Sequence, residues 1–461
     1  MGRTTQRKMV TIAMLVSILL VAIDTTIITT AMPHIVQQLS GLNLLSWVFT
    51  IYLLTSSVTT PIYGKLADLF GRKSIFIFGI LLFVVGSMMS GMAQTMYQLI
   101  LFRGFQGLGA GAVIPLTYTI IADLYPGEER AKMQGLFSSV WGVAGLLGPL
   151  VGGLFVDHIS WRWIFYINVP VGIAAILLVL SFLHESSLEK TKKTIDYWGA
   201  ALFAISMGSL LFALISGGQM YAWGSIEIIS LFTVAVVSLI TFLVVENKSS
   251  EPLLPLSLFK IPVIAVSNSV GFVASSVLIG VDVYLSIWIQ SLLGHSATSS
   301  GLTIMPMSLA WPLASTLAGR FMYKIGSKTT VVFGALLIMA GSAWLLLVHL
   351  GSPYWYFVGI MIVIGFGMGC SFTPLTILVQ SAVGWNLRGA ATASYTFSQS
   401  LGQTMGIAVF GTVFNNTMNQ SGMAQGVHMV FILVFAVSVV TLLISALLPS
   451  HRSIIAQQHA D

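Results

Sequence analysis

Long apolar windows separated by short breaks run through this chain from end to end, and the breaks hold nearly all of its charge. Fourteen windows can be read, at 9–30, 45–64, 73–93, 97–121, 133–156, 162–183, 194–216, 224–246, 262–290, 300–322, 329–350, 355–382, 389–415 and 425–448. About 20 apolar residues in a helix cross the hydrocarbon core of a bilayer, so each window is a candidate membrane helix. Charged residues make up only 7% of the 461 positions, against roughly 25% in a soluble protein. A soluble chain of this length would divide into domains that each need a polar shell, and this one lacks the charge to make them. Lipid is therefore the expected solvent for most of the surface. The net charge of +6 is too small and too one-sided to mean nucleic-acid binding. A single cysteine, Cys370, excludes an intrachain disulfide. The basic start, Met1 to Lys8, followed by an apolar run, has the outline of a signal peptide. It lacks a cleavage site, however, and Asp24 stands where the apolar core of a signal should end, so the run is read as a retained first helix.

Lysine and arginine test the count independently, because they concentrate on the cytoplasmic side of membrane proteins. With fourteen spans, the N-terminus and every even-numbered loop share one side. That side holds Arg3, Arg7, Lys8, Lys65, Arg72, Lys73, Arg130, Lys132, Lys190, Lys192, Lys193, Lys248, Lys260, Arg320, Lys324, Lys328, Arg388 and Arg452, which is 18 of the 20 basic residues. Arg162 falls in an outer loop and Arg103 inside the fourth window. Both termini are thus expected to be cytoplasmic, in a multi-pass protein of the cell membrane.

The chain also resembles itself. Gly64-Lys65 with Gly71-Arg72-Lys73 returns as Gly319-Arg320 with Gly326-Ser327-Lys328. Gly107-Leu-Gly-Ala-Gly111 returns as Gly365-Phe-Gly-Met-Gly369, and Arg130 with Phe137-Ser138 returns as Arg388 with Phe397-Ser398. The offsets lie between 255 and 260 residues and the matches keep their order. The expected architecture is all-α: a six-helix bundle over 1–186, a central helix pair over 187–256, and a second six-helix bundle over 257–461. Parallel halves of this kind are the sequence mark of a transporter that rocks around a site at their interface.

Several of these segments resemble a known family. Gly64-Lys-Leu-Ala-Asp68-Leu-Phe-Gly71-Arg72-Lys73 resembles the loop between helices 2 and 3 of the major facilitator superfamily, and Arg103-Gly-Phe-Gln106-Gly107-Leu-Gly109 its helix 4 motif. Gly148-Pro149-Leu-Val-Gly152-Gly153 is similar to the helix 5 motif associated with antiporters. Asp24-Thr25-Thr26 through Ala31-Met32-Pro33, with Trp161-Arg162-Trp163-x-Phe165-x2-Asn168-Val-Pro170, resembles the fourteen-helix drug/proton antiporter branch. The chain departs from the usual pattern at Thr29 and Ala144, where that branch commonly has Asn and Gly. The resemblance implies a major facilitator fold with two added central helices, and proton-coupled export of drugs. It implies that Arg103 serves proton coupling, that Asp68 caps a helix of the other half near Arg388 to Ala390, and that Arg72 pairs with Asp123. Gly64, Asp68, Gly71, Arg72 and Asp123 would then form a cytoplasmic gate.

The residues carry a reading of their own. Asp24 lies deep in an apolar window, where a carboxylate costs at least ~2.5–3.5 kcal/mol unless it meets a partner or a wet cavity, and such acids usually serve function. Asp282 follows 258 residues later, at the repeat offset. If the halves face each other, the two acids approach one cavity, where a proton and a cationic substrate could take turns on them. Arg103 cannot lose its proton and needs a carboxylate, carbonyls or water. Gln106 stands one turn away; it, Tyr284, Gln290, Trp311 and Phe397 are candidates for a cavity lining. Gly148-Pro149 allows kinking and close approach in the fifth helix. No HExxH, Walker loop, zinc spacing or Ser/His/Asp arrangement is present, so neither an enzyme nor a cofactor or metal is expected. The function expected is export of amphipathic, cationic drugs or dyes by a monomer driven by the proton gradient. The rivals are a transporter of one metabolite or antibiotic and, more remotely, a sensor or channel.

Overall fold

The structure, a computed structural model, describes residues 5–40, 44–185, 196–218, 220–249, 252–295 and 297–449. Arg3, Lys190, Lys192, Lys193 and Arg452, which enter the charge asymmetry, lie outside the described residues, as does the expected boundary at 186/187. The elements are α1 (Arg7–Leu39), α2 (Leu45–Phe70), α3 (Arg72–Met92), α4 (Met96–Leu124), α5 (Gly127–His158), α6 (Trp163–Tyr166), α7 (Asn168–Phe182), α8 (Tyr197–Ser216), α9 (Ile226–Lys248), α10 (Pro262–Ile287), α11 (Ala297–Ile325), α12 (Ser327–Leu345), α13 (Tyr354–Ser381), α14 (Arg388–Ser421) and α15 (Met423–Ala446). Among the described residues the sole β pairing is an isolated bridge between Gly217 and Tyr221. A π turn, Trp288–Leu292, prolongs α10.

Several helices outrun their apolar windows. α1 continues to Leu39, α5 begins at Gly127 and α14 ends at Ser421. Hydropathy registers only the stretch that meets lipid, whereas a helix continues for as long as its backbone hydrogen bonds are made. Ten helical stretches are each long and apolar enough to cross a membrane. The long helices outside that set are α2, α5, α11 and α14, and these pack as α2 on α14 and α5 on α11. In α14 the run Thr392 to Gln403 is dense in Ser, Thr and Gln, side chains that a helix can carry when another helix rather than lipid covers it.

Two large buried clusters divide the apolar interior. One runs from Val10 to Leu183 and draws on α1–α5 and α7; the other runs from Leu258 to Leu448 and draws on α10–α15. The internal repeat is visible in backbone detail. Gly71 breaks α2 from α3 at φ 93°, ψ 145°, and Gly326 breaks α11 from α12 at φ 94°, ψ 148°, a left-handed region that favours glycine. A Cβ on Gly107 or Gly111 of α4 would overlap the backbone of α2 at Tyr52 and Ser56. A Cβ on Gly365 or Gly369 of α13 would overlap α11 at Met307 and Trp311 in the same way. Close backbone approach of this kind supplies the packing energy that lipid, itself apolar, does not. The pair α8–α9 is tied by Ser206 Oγ donating to Ala235 O (2.8 Å), and α8 lies against both α2 and α14.

Candidate functional site: a buried acid network and an interhelix latch

The first constellation is buried where α1, α4 and α7 meet. Asp24 Oδ2 accepts from Arg103 Nη1 at 2.6 Å, and Oδ1 accepts from Gln106 Nε2 and Asn168 Nδ2, each at 2.9 Å. Arg103 Nη1 also donates to Gln106 Oε1 (2.9 Å), and Asn168 Nδ2 to Ser87 Oγ (3.0 Å). The guanidinium sits 4.2 Å from the centre of the Tyr52 ring, whose face attracts a cation. Asp24, Arg103 and Gln106 are at most 1% exposed. Gln106 therefore does not line a cavity: its one-turn spacing from Arg103 makes it a shared partner of both charges. Removing one member of a buried ion pair strands the other and costs about 3–5 kcal/mol. Asn168 and Tyr52 complete the network and were not among the expected site residues. For Asn168 the available signal was an amide at the start of an apolar helix.

Asp282 has no such company. The repeat offset that carries Asp24 to Asp282 carries Arg103 to Met361 and Gln106 to Ile364, and both of these lie in the buried apolar core of the second half. Asp282 Oδ1 is buried with no hydrogen-bond partner among the described residues. Of the expected lining residues, Tyr284 is buried against Phe414 (ring centroids 5.4 Å) and Trp311 stacks on Phe372 (5.3 Å). Phe397 instead packs on Phe203 of α8 (5.4 Å), and Gln290 is exposed in the π turn beyond α10. Among the described residues no hydrogen bond or ring contact joins either of these two to Asp282.

The second constellation joins the halves at the end of the bundle that carries the basic turns. Asp68, at the end of α2, accepts from Gly389 N (3.0 Å) and Ala390 N (2.8 Å), the first free amides of α14. A carboxylate there satisfies orphan donors and meets the positive end of the helix dipole. The approach requires glycine on both sides: a Cβ on Gly64 would fall 2.8 Å from Gly389 O, and one on Gly389 would fall 2.6 Å from Gly64 O. Arg72 pairs with Asp123 and more distantly with Asp68 (3.4 Å). Its Nη2 donates to Trp385 O (2.9 Å), and the guanidinium lies 4.1 Å over the Trp385 ring. Asp123 also binds Arg388 Nη1 of the opposite half at 2.5 Å. Glu185 accepts from Arg72 N (2.7 Å) and Lys73 N (3.1 Å), capping α3. Trp385, Arg388 and Glu185 thus join the five expected gate residues. Arg388 was visible in the repeat as the counterpart of Arg130, but its reach across to Asp123 was not.

The fifth helix meets the first along Gly148, where a Cβ would collide with Thr26, and Thr26 Oγ1 donates to Ala144 O (3.0 Å). Pro149 and Gly152 lie within the same helix, while Gly153 has open space around its Cα. The leading part of α5 faces the second half, with Gly135 against Thr316 and Gly142 against Ser308.

Residues 14–407 match the profile of the Major Facilitator Superfamily. Two Bacillus subtilis proteins align over most of both lengths. "Multidrug resistance protein 3" is 38% identical over 405 residues, covering 88% of this chain and 79% of that protein. "Multidrug transporter protein MdtP" is 37% identical over 414 residues, covering 89% and 76%. "Rubrofusarin-specific efflux pump aurT" of Gibberella zeae is 32% identical over 403 residues, covering 86% and 74%. In three dimensions the human organic anion transporter TETRAN superimposes with a TM-score of 0.71 at 14% identity, covering 95% of this chain and 99% of that one. The proton:xylose symporter XylE gives 0.68 at 16%, covering 96% of each. The chain belongs to the major facilitator superfamily: it is a multi-pass membrane transporter and not an enzyme.

Proposed function

We propose that this protein exports amphipathic, cationic drugs or dyes across the cell membrane in exchange for protons, by alternating access. The fourteen spans are the ten apolar stretches together with α2, α5, α11 and α14, and the basic end with both termini faces the cytoplasm. Residues 1–186 and 257–461 form the rocking bundles and 187–256 the added pair. A monomer acts without a cofactor. The names of the two Bacillus relatives support a broad range of exported compounds.

The observation that carries the reading is the difference between the two acids within the apolar helices, Asp24 and Asp282. Asp24 is held by Arg103, Gln106 and Asn168, so a proton arriving there loosens α1 from α4 and α7 and changes packing rather than binding cargo. Arg103 keeps its charge throughout and supplies the restoring attraction. Asp282 keeps an oxygen unsatisfied in an apolar wall, where a cation or a proton is the partner that removes the cost. Trp311, half-buried and stacked on Phe372, offers its other face to an aromatic cation in the same half. The latch of Asp68, Arg72, Asp123 and Arg388 keeps the cytoplasmic side shut until cargo and proton have exchanged.

The test is proton release on adding a quaternary ammonium dye to the purified protein, over a pH series. Release that depends on Asp282 supports the exchange; dye binding with no proton movement at any pH removes it. A second reading, export of a single compound, is favoured by the similarity to the rubrofusarin-specific pump. Competition among unrelated cations separates the two, since a one-compound transporter ignores the panel.

A further inference from the structure

Two sides of α5 are taken by neighbouring helices. Gly135 meets Thr316 and Gly142 meets Ser308 of α11, whereas Gly148 meets Thr26 of α1. At about 100° per residue, two gaps remain between these contact faces. One carries Leu136, Val143, Leu147 and Leu154, all exposed and apolar, and lipid is the solvent that suits them. The other carries Gln134, Ser138, Trp141 and Gly145. At Gln134 this second gap is closed over by protein: the residue is 4% exposed, and its Nε2 is buried without a hydrogen-bond partner among the described residues. Further from the latch the gap opens. Trp141 is 36% exposed, and a Cβ on Gly145, one turn on, would meet nothing within 4 Å among the described residues. On α11 the exposed Leu302, Leu309 and Leu313 share the lipid side, and Trp311 stands opposite them, half-buried and stacked on Phe372. The contacts at Gly135 and Gly142 make the two helices antiparallel, so Trp311 stands within about one turn (~5 Å) of the level of Trp141. At the repeat offsets Trp141 answers to Gln399, Gly145 to Gln403 and Trp311 to Ser56, all three partly exposed. The contact of α5 with α11 thus carries indoles where that of α2 with α14 carries amides and a hydroxyl.

We propose that Trp141 of the first half and Trp311 of the second form an aromatic clamp for a planar cation, on the α5/α11 side of the space between the halves. The inference deepens the export reading above and rests on it. A cation is drawn to the face of an indole within about 6 Å of the ring centre, and more strongly away from water. Trp311 is held flat by Phe372 on one face, which fixes the plane of the other. Trp141 stands beside a glycine that leaves room for a ring. Helix axes in contact lie about 8–10 Å apart, so two indoles projecting on the same side of the contact line can meet opposite faces of one bound ring. Ser56, Gln399 and Gln403, on the other pair of helices, suit the polar part of an amphipathic molecule. Because the two indoles belong to different halves, rocking of the halves opens and closes the clamp.

The experiment measures, by calorimetry on the full chain in detergent, binding of ethidium, a planar aromatic cation, and of tetrabutylammonium, a cation without a ring. Trp141→Leu and Trp311→Leu should each weaken ethidium binding about tenfold and leave tetrabutylammonium within about twofold. Trp141→Phe keeps a ring and should lose no more than about threefold. Gly145→Leu fills the space beside Trp141 and should weaken ethidium as much as Trp141→Leu does. Trp198→Leu, at an indole 76% exposed at the start of α8, should change neither cation. The double variant should lose less than the product of the two single losses, about a hundredfold, because a ring with one wall gone is already free to leave the other. Ethidium binding unmoved by either single substitution, losses shared equally by tetrabutylammonium, an equal loss from Trp198→Leu, or fully multiplied losses in the double variant overturns the clamp while leaving the export of cations standing. An unaltered protein that binds neither cation overturns that reading and this inference with it.

Discussion

The two halves of the molecule share a backbone plan and differ in charge. Arg130 donates to Ala122 O (2.9 Å) in its own half and reaches across to Ser381 Oγ (3.1 Å); Arg388 donates to Gln380 O (3.3 Å) in its own half and reaches across to Asp123. A 258-residue offset relates Arg130 to Arg388, Ala122 to Gln380 and Asp123 to Ser381, so the acid that meets Arg388 has a serine as its counterpart. At the 255-residue offset of the turn glycines Arg72 becomes Ser327, and at 258 Arg103 and Gln106 become Met361 and Ile364. Asp24, Asp68 and Asp123 of the first half are paired, whereas among the described residues of the second half the one acid, Asp282, has an oxygen without a partner. Geometry is set by glycines and helix register, which duplication preserves. Electrostatics is set by single side chains, which can diverge while the backbone stays the same. A transporter with one electrostatically locked half and one electrostatically open half can assign gating to the first and cargo to the second.

The largest expected effect comes from making the first half resemble the second. Arg103→Met leaves Asp24 buried and uncompensated and should cost about 3–5 kcal/mol, read as a fall in unfolding temperature in detergent. The matching change in the other half, Asp282→Asn, should abolish proton-linked efflux while moving stability by no more than about 1 kcal/mol, because it removes a charge that had no partner. Equal losses of stability at the two acids would erase the distinction between the halves.

Smaller effects sharpen it at the latch. Asp68→Ala removes the cap from α14 and should cost about 0.5–2 kcal/mol, with the cytoplasmic end more open by a spin-label distance between the halves. Ser381→Asp gives Arg130 the acid its counterpart has. A partly exposed pair of this kind adds about 0.2–1 kcal/mol, so the closed form should gain and turnover should slow by up to about fivefold, measured as efflux rate. Gln290→Ala, at an exposed position beyond α10, should stay within about 0.5 kcal/mol and leave transport unchanged.

Much of this is legible in the amino-acid sequence alone. Apolar windows, the scarcity of charge and the distribution of Lys and Arg define a membrane protein and place its helices, because lipid leaves few alternatives to a helix that satisfies its own backbone. The paired motifs around Gly71 and Gly326 announced the duplication, since a sharp turn between helices needs the backbone freedom of glycine in both copies. Asp24, Asp68, Asp123, Asp282, Arg72 and Arg103 stood out because charge in an apolar chain is conspicuous. Which of them meet was another matter. That Asp24 is locked by Arg103, Gln106 and Asn168 while Asp282 Oδ1 finds no hydrogen-bond partner among the described residues, that Phe397 packs on α8, and that Arg388 crosses to Asp123 depend on side chains brought together from segments far apart in the chain. Hydropathy and periodicity report how a residue relates to its solvent and its own helix. Partnership between helices is decided by rotation and depth of packing, and only the folded arrangement holds that information.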